Sequence, residues 1–202
     1  MIRVQGKLPR SVYVGCSGGI DSMAVIDFLK RKHDVEVLFF NHGSDHDREA
    51  QSFLYRYCET NELEFICETL KNEYDAKSGM SKEEFWRWER YRFFERFARP
   101  ETPVITCHHL DDCVETWIWS SLHGNPSVIP YRRNDVIRPF RANRKRDLEL
   151  WAGVNNVPYL EDPENKNTAF TRNYIRHELL PHALKVNPGL HKTIKKKVLE
   201  DV

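Results

Sequence analysis

Short apolar runs alternate with longer stretches whose apolar residues recur at helical spacing, and this alternation divides the chain into elements. Val12-Tyr13-Val14 reads as a buried strand, and the stretch from Met23 to Lys30 reads as a helix. Val35 to Phe40 predicts a second strand ending at the turn Asn41-His42-Gly43, followed by a helix from about Asp47 to Thr60. Glu64-Phe65-Ile66-Cys67 predicts a short third strand, and Lys71 to Gly79 is polar and loop-like. Ser81, with Glu84 three residues on, has the form of a capping box and opens a long helix that stops before Pro100. Pro103 to Cys107 predicts a fourth strand, and His108-His109-Leu110-Asp111-Asp112 opens a helix running to about Leu122. Strands that alternate with helices pair in parallel, so the expected fold is α/β, a doubly wound and mostly parallel sheet flanked by helices. Ligands of such sheets bind at the carboxyl ends of the strands.

The texture changes after Gly124-Asn125-Pro126. Val136 to Phe140 predicts a short edge strand, Asn143 to Asn155 a helix, and Pro158 to Pro163 an extended segment, because residues before proline avoid the helical region. Thr168 to about Leu184 reads as helical around Pro181, and Pro188 starts a last, basic helix. A boundary near residue 130 is expected. It would separate an α/β nucleotide-binding domain, 1–130, from a basic, mainly helical region, 131–202, that completes the catalytic domain and contacts nucleic acid.

Composition narrows the class. At 202 residues, 40% hydrophobic and 30% charged, the chain has enough apolar material for one sizeable domain. No window of about 18 apolar residues exists, so no membrane span is predicted. The N-terminal residues lack the long apolar region of a signal peptide. Five cysteines, none in a Cys-x-x-Cys pair, point to a reduced, cytoplasmic compartment and away from a cluster or zinc ribbon. The net charge of +1 hides an asymmetry, since residues 131–202 hold 15 Lys+Arg against 9 Asp+Glu. A basic final third on an acidic body suggests that a polyanion docks there.

The stretch with the most chemistry is Ser17-Gly18-Gly19-Ile20-Asp21-Ser22, between the first strand and the first helix. Two glycines at a helix N-terminus leave unpartnered backbone N–H groups open to an anion, and the peptide dipoles favour negative charge there. Asp21 stands out, because a carboxylate beside a phosphate needs an intervening cation such as Mg²⁺. An ordinary strand-to-helix turn uses the same residue types. A Walker loop requires a lysine after its glycines, and none follows here. The second constellation is Asp111, Asp112 and Glu115, where i,i+3 and i,i+4 spacing places Glu115 beside both aspartates. Three acids on one turn repel one another and are tolerable if they collect a cation, either Mg²⁺ or a substrate ammonium group. Acids also favour the first turn of any helix. A zinc site from His108, His109 and Cys113 is a weaker reading than helix capping or substrate contact.

The Ser-Gly-Gly-x-Asp-Ser pattern resembles the pyrophosphate loop of adenylating ATPases, which cleave ATP to AMP and pyrophosphate. Further blocks are Asn41-His42-Gly43, Glu83-x-x-x-Arg87-x-x-Arg90-Tyr91, His108-His109-Leu110-Asp111-Asp112-x-x-Glu115-Thr116 and Arg138-Pro139-Phe140. With Glu161-Asp162-Pro163-x-Asn165 and Phe170-x-Arg172-Asn173-x-Ile175-Arg176-His177-Glu178-Leu179-Leu180-Pro181, they resemble the tRNA(Ile)-lysidine synthetase family over nearly the whole chain.

That resemblance implies an adenine nucleotide alpha hydrolase-like fold. It also implies adenylation of the wobble cytidine of a CAU-anticodon isoleucine tRNA, after which L-lysine displaces AMP to give lysidine. Carried over by motif, Ser17, Gly18, Gly19, Ile20, Asp21, Ser22 and His42 would hold ATP. Asp21 and Asp112 would hold Mg²⁺, and Asp111, Asp112 and Glu115 would orient the lysine or share the metal. Arg90, Arg172 and Arg176 would contact ATP phosphate or the target nucleotide, although arginines on such helices also form ordinary salt bridges. The resemblance implies that Asp21 faces Asp111 and Asp112 across a cleft. Two departures stand out: the C-terminal domains of many members are not in this sequence, and Ser120 to Pro126 lacks the usual arginine and repeated glycines. Such a short form is expected to use Arg141–Arg146 and Lys192–Lys197 on tRNA. The rivals are a tRNA thiolation enzyme of the same superfamily, for which Cys107 and Cys113 are poorly spaced, and an RNA-binding module with a relic ATP site.

Overall fold

The computed structural model describes residues 2–76, 79–163 and 167–201. The chain forms β1 (Ser11–Gly15), α1 (Ile20–Leu29), β2 (Asp34–Asn41), α2 (Asp45–Thr60), β3 (Glu64–Thr69), α3 (Lys82–Phe97), β4 (Val104–Thr106) and α4 (Leu110–Leu122). Then come β5 (Arg132–Arg133), β6 (Val136–Ile137), α5 (Lys145–Val154), α6 (Thr171–Tyr174), a π-helical turn (Ile175–Leu179), α7 (Leu180–Val186) and α8 (Leu190–Glu200). The capping box expected before α3 is present: Glu84 N–H donates to Ser81 Oγ at 3.2 Å, and Ser81 N–H to Glu84 Oε2 at 2.7 Å.

The sheet has the order β3-β2-β1-β4-β6-β5, parallel except for the antiparallel pair β5–β6. The chain builds outward from β1 through β2 to β3, then crosses back to place β4 on the other side of β1. The switch point therefore lies between β1 and β4, where doubly wound sheets hold their ligands. Val136 and Ile137 do not form the edge expected of them; they are buried between β4 and β5. The exposed pair Arg132-Arg133 takes the edge, where charge discourages further strand pairing.

Side chains alternate across the sheet as the pleat requires. Val37 and Phe39 face a core shared with α1, α2 and α5, whereas Leu38 and Phe40 face Phe93 and Phe94 of α3. Burial on both faces explains why β2 reads as a continuous apolar run. A separate apolar cluster joins α4 to the π turn, α7 and α8 through Cys113, Val114, Ile175, Leu180 and Ile194. Chain order and packing thus cross near residue 130, because β5, β6 and α5 join the first sheet and its helices.

Gly15 closes β1 directly beneath Phe94, where an added Cβ would lie 2.6 Å from the ring. Phe94 is itself buried and cannot swing into solvent. Gly15→Ala is expected to destabilise the fold by about 1–3 kcal/mol through overpacking. Urea denaturation of the variant, with and without Phe94→Leu, checks this: the smaller partner should restore most of the loss.

Candidate functional site

The loop after β1 is shaped by its own side chains. Gly18 has φ +82°, a conformation L residues rarely adopt, and its carbonyl accepts from Leu160 N–H at 2.9 Å. Gly19 is the N-cap of α1 and supplies no side-chain cap, so the first helical N–H groups lack a side-chain acceptor. Ser22 Oγ donates to Gly19 O at 2.9 Å and accepts from Ser17 N–H at 3.3 Å, which ties the buried hydroxyl to the loop. Ser17, Gly19, Ile20 and Asp21 line an outer hollow of about 540 Å³ with His42, Arg90 and Arg176. An inner hollow of about 240 Å³ is lined by Asp21, Ser22, Arg90, Asp112 and Arg172. The two share Cys16, Ser17, Asp21, Arg90 and Phe94 as common wall, while Gly18 stays behind as the turn.

His109 joins the two acidic sides of this cleft. It is the N-cap of α4, where Nδ1 accepts from Asp112 N–H at 3.2 Å while Asp112 Oδ2 accepts from His109 N–H at 2.9 Å. Its Nε2 lies 3.7 Å from Asp21 Oδ2. The neutral tautomer with hydrogen on Nε2 satisfies both contacts. Burial pulls the His109 pKa down, but Asp112, then Asp21 and Asp111, outweigh it and the net direction is up. His108 is driven the other way, to about 3, by burial, and so stays neutral beside Thr106 Oγ1.

The acidic turn divides its work. Asp112 lines the inner hollow, and although burial opposes it, His109, Arg172 and His108 bring its pKa to about 2. Glu115 is buried and receives Arg176 through Nε at 2.7 Å and Nη2 at 3.1 Å, with Arg172 Nε at 3.2 Å. Asp111 points out of the cleft. It accepts from Lys145 N–H at 2.8 Å and from Arg144 Nε at 3.2 Å, and meets His191 Nε2 at 3.0 Å. Burial raises the Asp111 carboxyl, but His191, Lys145 N–H and Arg144 outweigh it and hold it well below the carboxylate range. The structure therefore brings Asp21 and Asp112 to one cleft and sends Asp111 to a junction of α4, α5 and α8. Three acids that seemed uncompensated along the chain are met by Arg144, Arg172, Arg176 and His191; Arg144, expected in the basic segment that contacts tRNA, is here paired with Asp111, and His191 carried no sequence signal.

Arg172 and Arg176 are i,i+4 across the start of the π turn, and Pro181 follows at the head of α7. Proline removes the N–H that would meet the carbonyl four residues earlier, and such gaps favour a local π turn. Arg90 differs from both. It lines both hollows, and it forms no hydrogen bond or ion pair among the described residues. Burial, helped by Arg87, lowers its pKa. His42 packs against Phe40 and Trp86, with Nδ1 3.7 Å from Asp47 Oδ1 and a buried Nε2 that has no partner. Asn165 lies outside the described residues.

Three buried side-chain atoms have no hydrogen-bond partner among the described residues, Asp21 Oδ1, His42 Nε2 and Arg138 Nε, and in the cleft of Asp21 the Arg90 guanidinium forms no hydrogen bond or ion pair among them either. Among the described residues no group of three or more His, Cys, Asp or Glu side chains could hold a metal by itself. Asp21 and Asp112 nevertheless fit Mg²⁺, which commonly takes one or two carboxylates and completes its shell with phosphate oxygens and water. The cysteines do not fit nucleophilic work. Burial lifts Cys16 to about 11, Cys113 to about 12, and Cys107 well above its ordinary value. Arg141, expected on nucleic acid, is fully buried and donates instead to Ile129 O at 2.7 Å, Val198 O at 2.9 Å and Asp201.

Comparison with known proteins adds the following. Residues 3–183 match a family model described as a PP-loop domain. The chain is 32% identical over 192 residues to a tRNA(Ile)-lysidine synthase of Persephonella marina, covering 89% of this chain and 42% of that protein. It is 31% identical over 201 residues to the Lactiplantibacillus plantarum protein of the same name, covering 92% and 44%. The chain thus spans about half the length of the curated relatives it matches. In three dimensions it is similar to an NH3-dependent NAD synthetase from Campylobacter jejuni, with TM-score 0.53, 18% identity, and coverage of 96% of this chain and 85% of that one. This second likeness concerns the fold alone. No helix among the described residues is long and apolar enough to cross a membrane.

Asp111→Asn is expected to cost on the order of 3 kcal/mol, because it strands Arg144 and His191 in a partly buried junction. The depressed pKa means that native Asp111 binds fewer protons than the unfolded chain at acid pH. Its contribution is complete above the unfolded value of about 3.9 and fades as pH falls below it. Urea midpoints measured between neutral pH and pH 3 should show the wild type converging on the variant.

Proposed function

The chain belongs to the PP-loop domain family, and from that premise we propose that it is an ATP-dependent tRNA-modifying ligase that converts a wobble cytidine to lysidine. The observation that carries this reading is the pair of unsatisfied opposites in one cleft, the buried oxygen of Asp21 and the unpaired guanidinium of Arg90. If they faced only each other, they would pair. A ligand bearing phosphate and a divalent cation satisfies both, the cation on Asp21 and the phosphate on Arg90. The similarity to tRNA(Ile)-lysidine synthases over about 90% of this chain supports the same substrate class.

The residues divide the chemistry as follows. The bare N–H groups of α1 beyond Gly19 and the hydroxyl of Ser17 bind the polyphosphate, and Arg90 holds its charge from the opposite wall. Asp21 and Asp112 hold Mg²⁺, which when bound neutralises charge on the departing pyrophosphate. In the first half-reaction the cytidine O2 bonds to the α-phosphorus as the bond to pyrophosphate breaks. In the second, the lysine amine bonds to C2, AMP leaves with O2, and the amine gives up a proton. Asp112 faces the inner hollow as a carboxylate and orients the incoming ammonium group, while Arg172 and Arg176 keep Glu115 and Asp112 in register. Orientation of this kind supplies about 7–11 kcal/mol in favourable cases. Unpaired thiols and a requirement for ATP and tRNA suit a cytoplasmic site of action.

Purified protein incubated with ATP, Mg²⁺, labelled lysine and a CAU-anticodon isoleucine tRNA should release pyrophosphate and AMP and label the tRNA. No label and no AMP, with the protein folded, overturns the reading. Asp21→Asn should lower the rate by about 100–1,000-fold, the usual effect of removing one electrostatic stabiliser. Arg90→Gln should raise the KM for ATP without unfolding the protein, as checked by circular dichroism.

A further inference from the structure

A second concavity lies on the outward face of α3, with a volume of about 450 Å³ and walls that include Arg87, Trp88, Tyr91, Arg92 and Arg133. Glu84, Arg87, Trp88 and Tyr91 sit at i, i+3, i+4 and i+7, a face opposite the buried Phe93, with Tyr91 bordering Phe94 at 6.0 Å between ring centroids. Trp88 is 47% exposed. The Arg92 guanidinium lies over its ring at 4.7 Å, and that of Arg87 over Tyr91 at 4.8 Å. These are two arginine–aromatic pairs, of which the Trp88–Arg92 pair is exposed and the Tyr91–Arg87 pair half-buried.

The charges favour an anionic visitor. The lining sets Arg87, Arg92 and Arg133 against Glu84 and Glu95, which keep their charge while bonded to Ser81 and to Asn134 Nδ2 at 2.8 Å, and Arg92 lies 3.7 Å from Glu89, so the excess is carried by Arg87 and Arg133. Arg87 and Arg133 have no carboxylate partner among the described residues, and Arg133 stands on the edge strand β5. The concavity also adjoins the reaction cleft. Tyr91 lines both, and its hydroxyl accepts from Arg138 Nη2 at 3.1 Å and lies 3.4 Å from Arg87 Nη2. Stacking planes with interspersed cations are how proteins hold single-stranded nucleic acid.

We propose that this α3 groove docks single-stranded RNA, with Trp88 stacking a nucleobase next to the one in the reaction cleft and Arg133 meeting its phosphate. The inference rests on the RNA substrate of the reading above and adds where the flanking nucleotides lie. Neither Trp88 nor Arg133 lines the nucleotide cleft.

The test is equilibrium binding of a fluorescently labelled CAU anticodon stem-loop to the full chain, by anisotropy across a salt series. Trp88→Ala should weaken binding about 5- to 100-fold, the range of losses from one base–aromatic stack, and Trp88→Phe should recover part of it. Arg133→Ala should weaken binding evenly across loop sequences and lower the salt slope by about one. Binding of a non-hydrolysable ATP analogue and the thermal melt should stay at wild-type values in all three. Wild-type RNA binding that the groove variants leave unchanged, while alanines at Lys195, Lys196 and Lys197 abolish it, overturns the groove and leaves the proposed activity standing. Absence of RNA binding by the wild type overturns both.

Discussion

Three carboxylates on the first two turns of one helix are each met by a cation, and the chain is arranged to deliver those cations from far away. Arg144 and His191 reach Asp111 from 33 and 80 residues downstream. Arg172 and Arg176 reach Glu115 from 57 and 61 residues downstream. Buried charge is tolerated only when paired, so these ion pairs set how α5, the π turn and α8 meet the start of α4, beside the apolar cluster that holds α4 to the π turn and α8. The cleft wall between β1 and β4 is a product of that pairing.

The paired aspartates illustrate how one sequence motif splits into two roles. Asp111 and Asp112 are adjacent, so on a helix they point about 100° apart. One faces the cleft and Asp21, with His109 between them; the other faces the N-terminus of α5. Asp111 holds three elements together, and Asp112 puts its carboxylate into the inner hollow.

Much of this was legible along the chain, for physical reasons. The parallel sheet follows from alternation, because each helix between strands returns the chain to the same end of the sheet, and the α3 cap follows from Ser81 and Glu84 by local hydrogen bonding. Gly18 and Asp21 stood out because a positive φ and an acid at a phosphate-like turn leave local signatures. Compensation of the acids was not legible, since Arg144 and His191 look like ordinary basic residues until tertiary contacts place them. Arg141 misled for the same reason: a basic run suggests solvent or RNA, yet this member is fully buried. The edge position of Val136 and Ile137 failed because a two-residue strand, Arg132-Arg133, has too little pattern to be seen.

Arg141 carries one more implication, for biogenesis. Its guanidinium is satisfied by Val198 and Asp201, 57 and 60 residues later. Ile129 O and Gln5 Oε1, its other acceptors, precede it in the chain, so at translation speeds of about 5–20 residues per second its shell stays half complete for roughly 3–12 seconds. During that interval the β1–β4 half of the sheet exists without the helix that locks it. The last helix to be made therefore supplies the acceptors that close the shell of a guanidinium buried long before it in the chain.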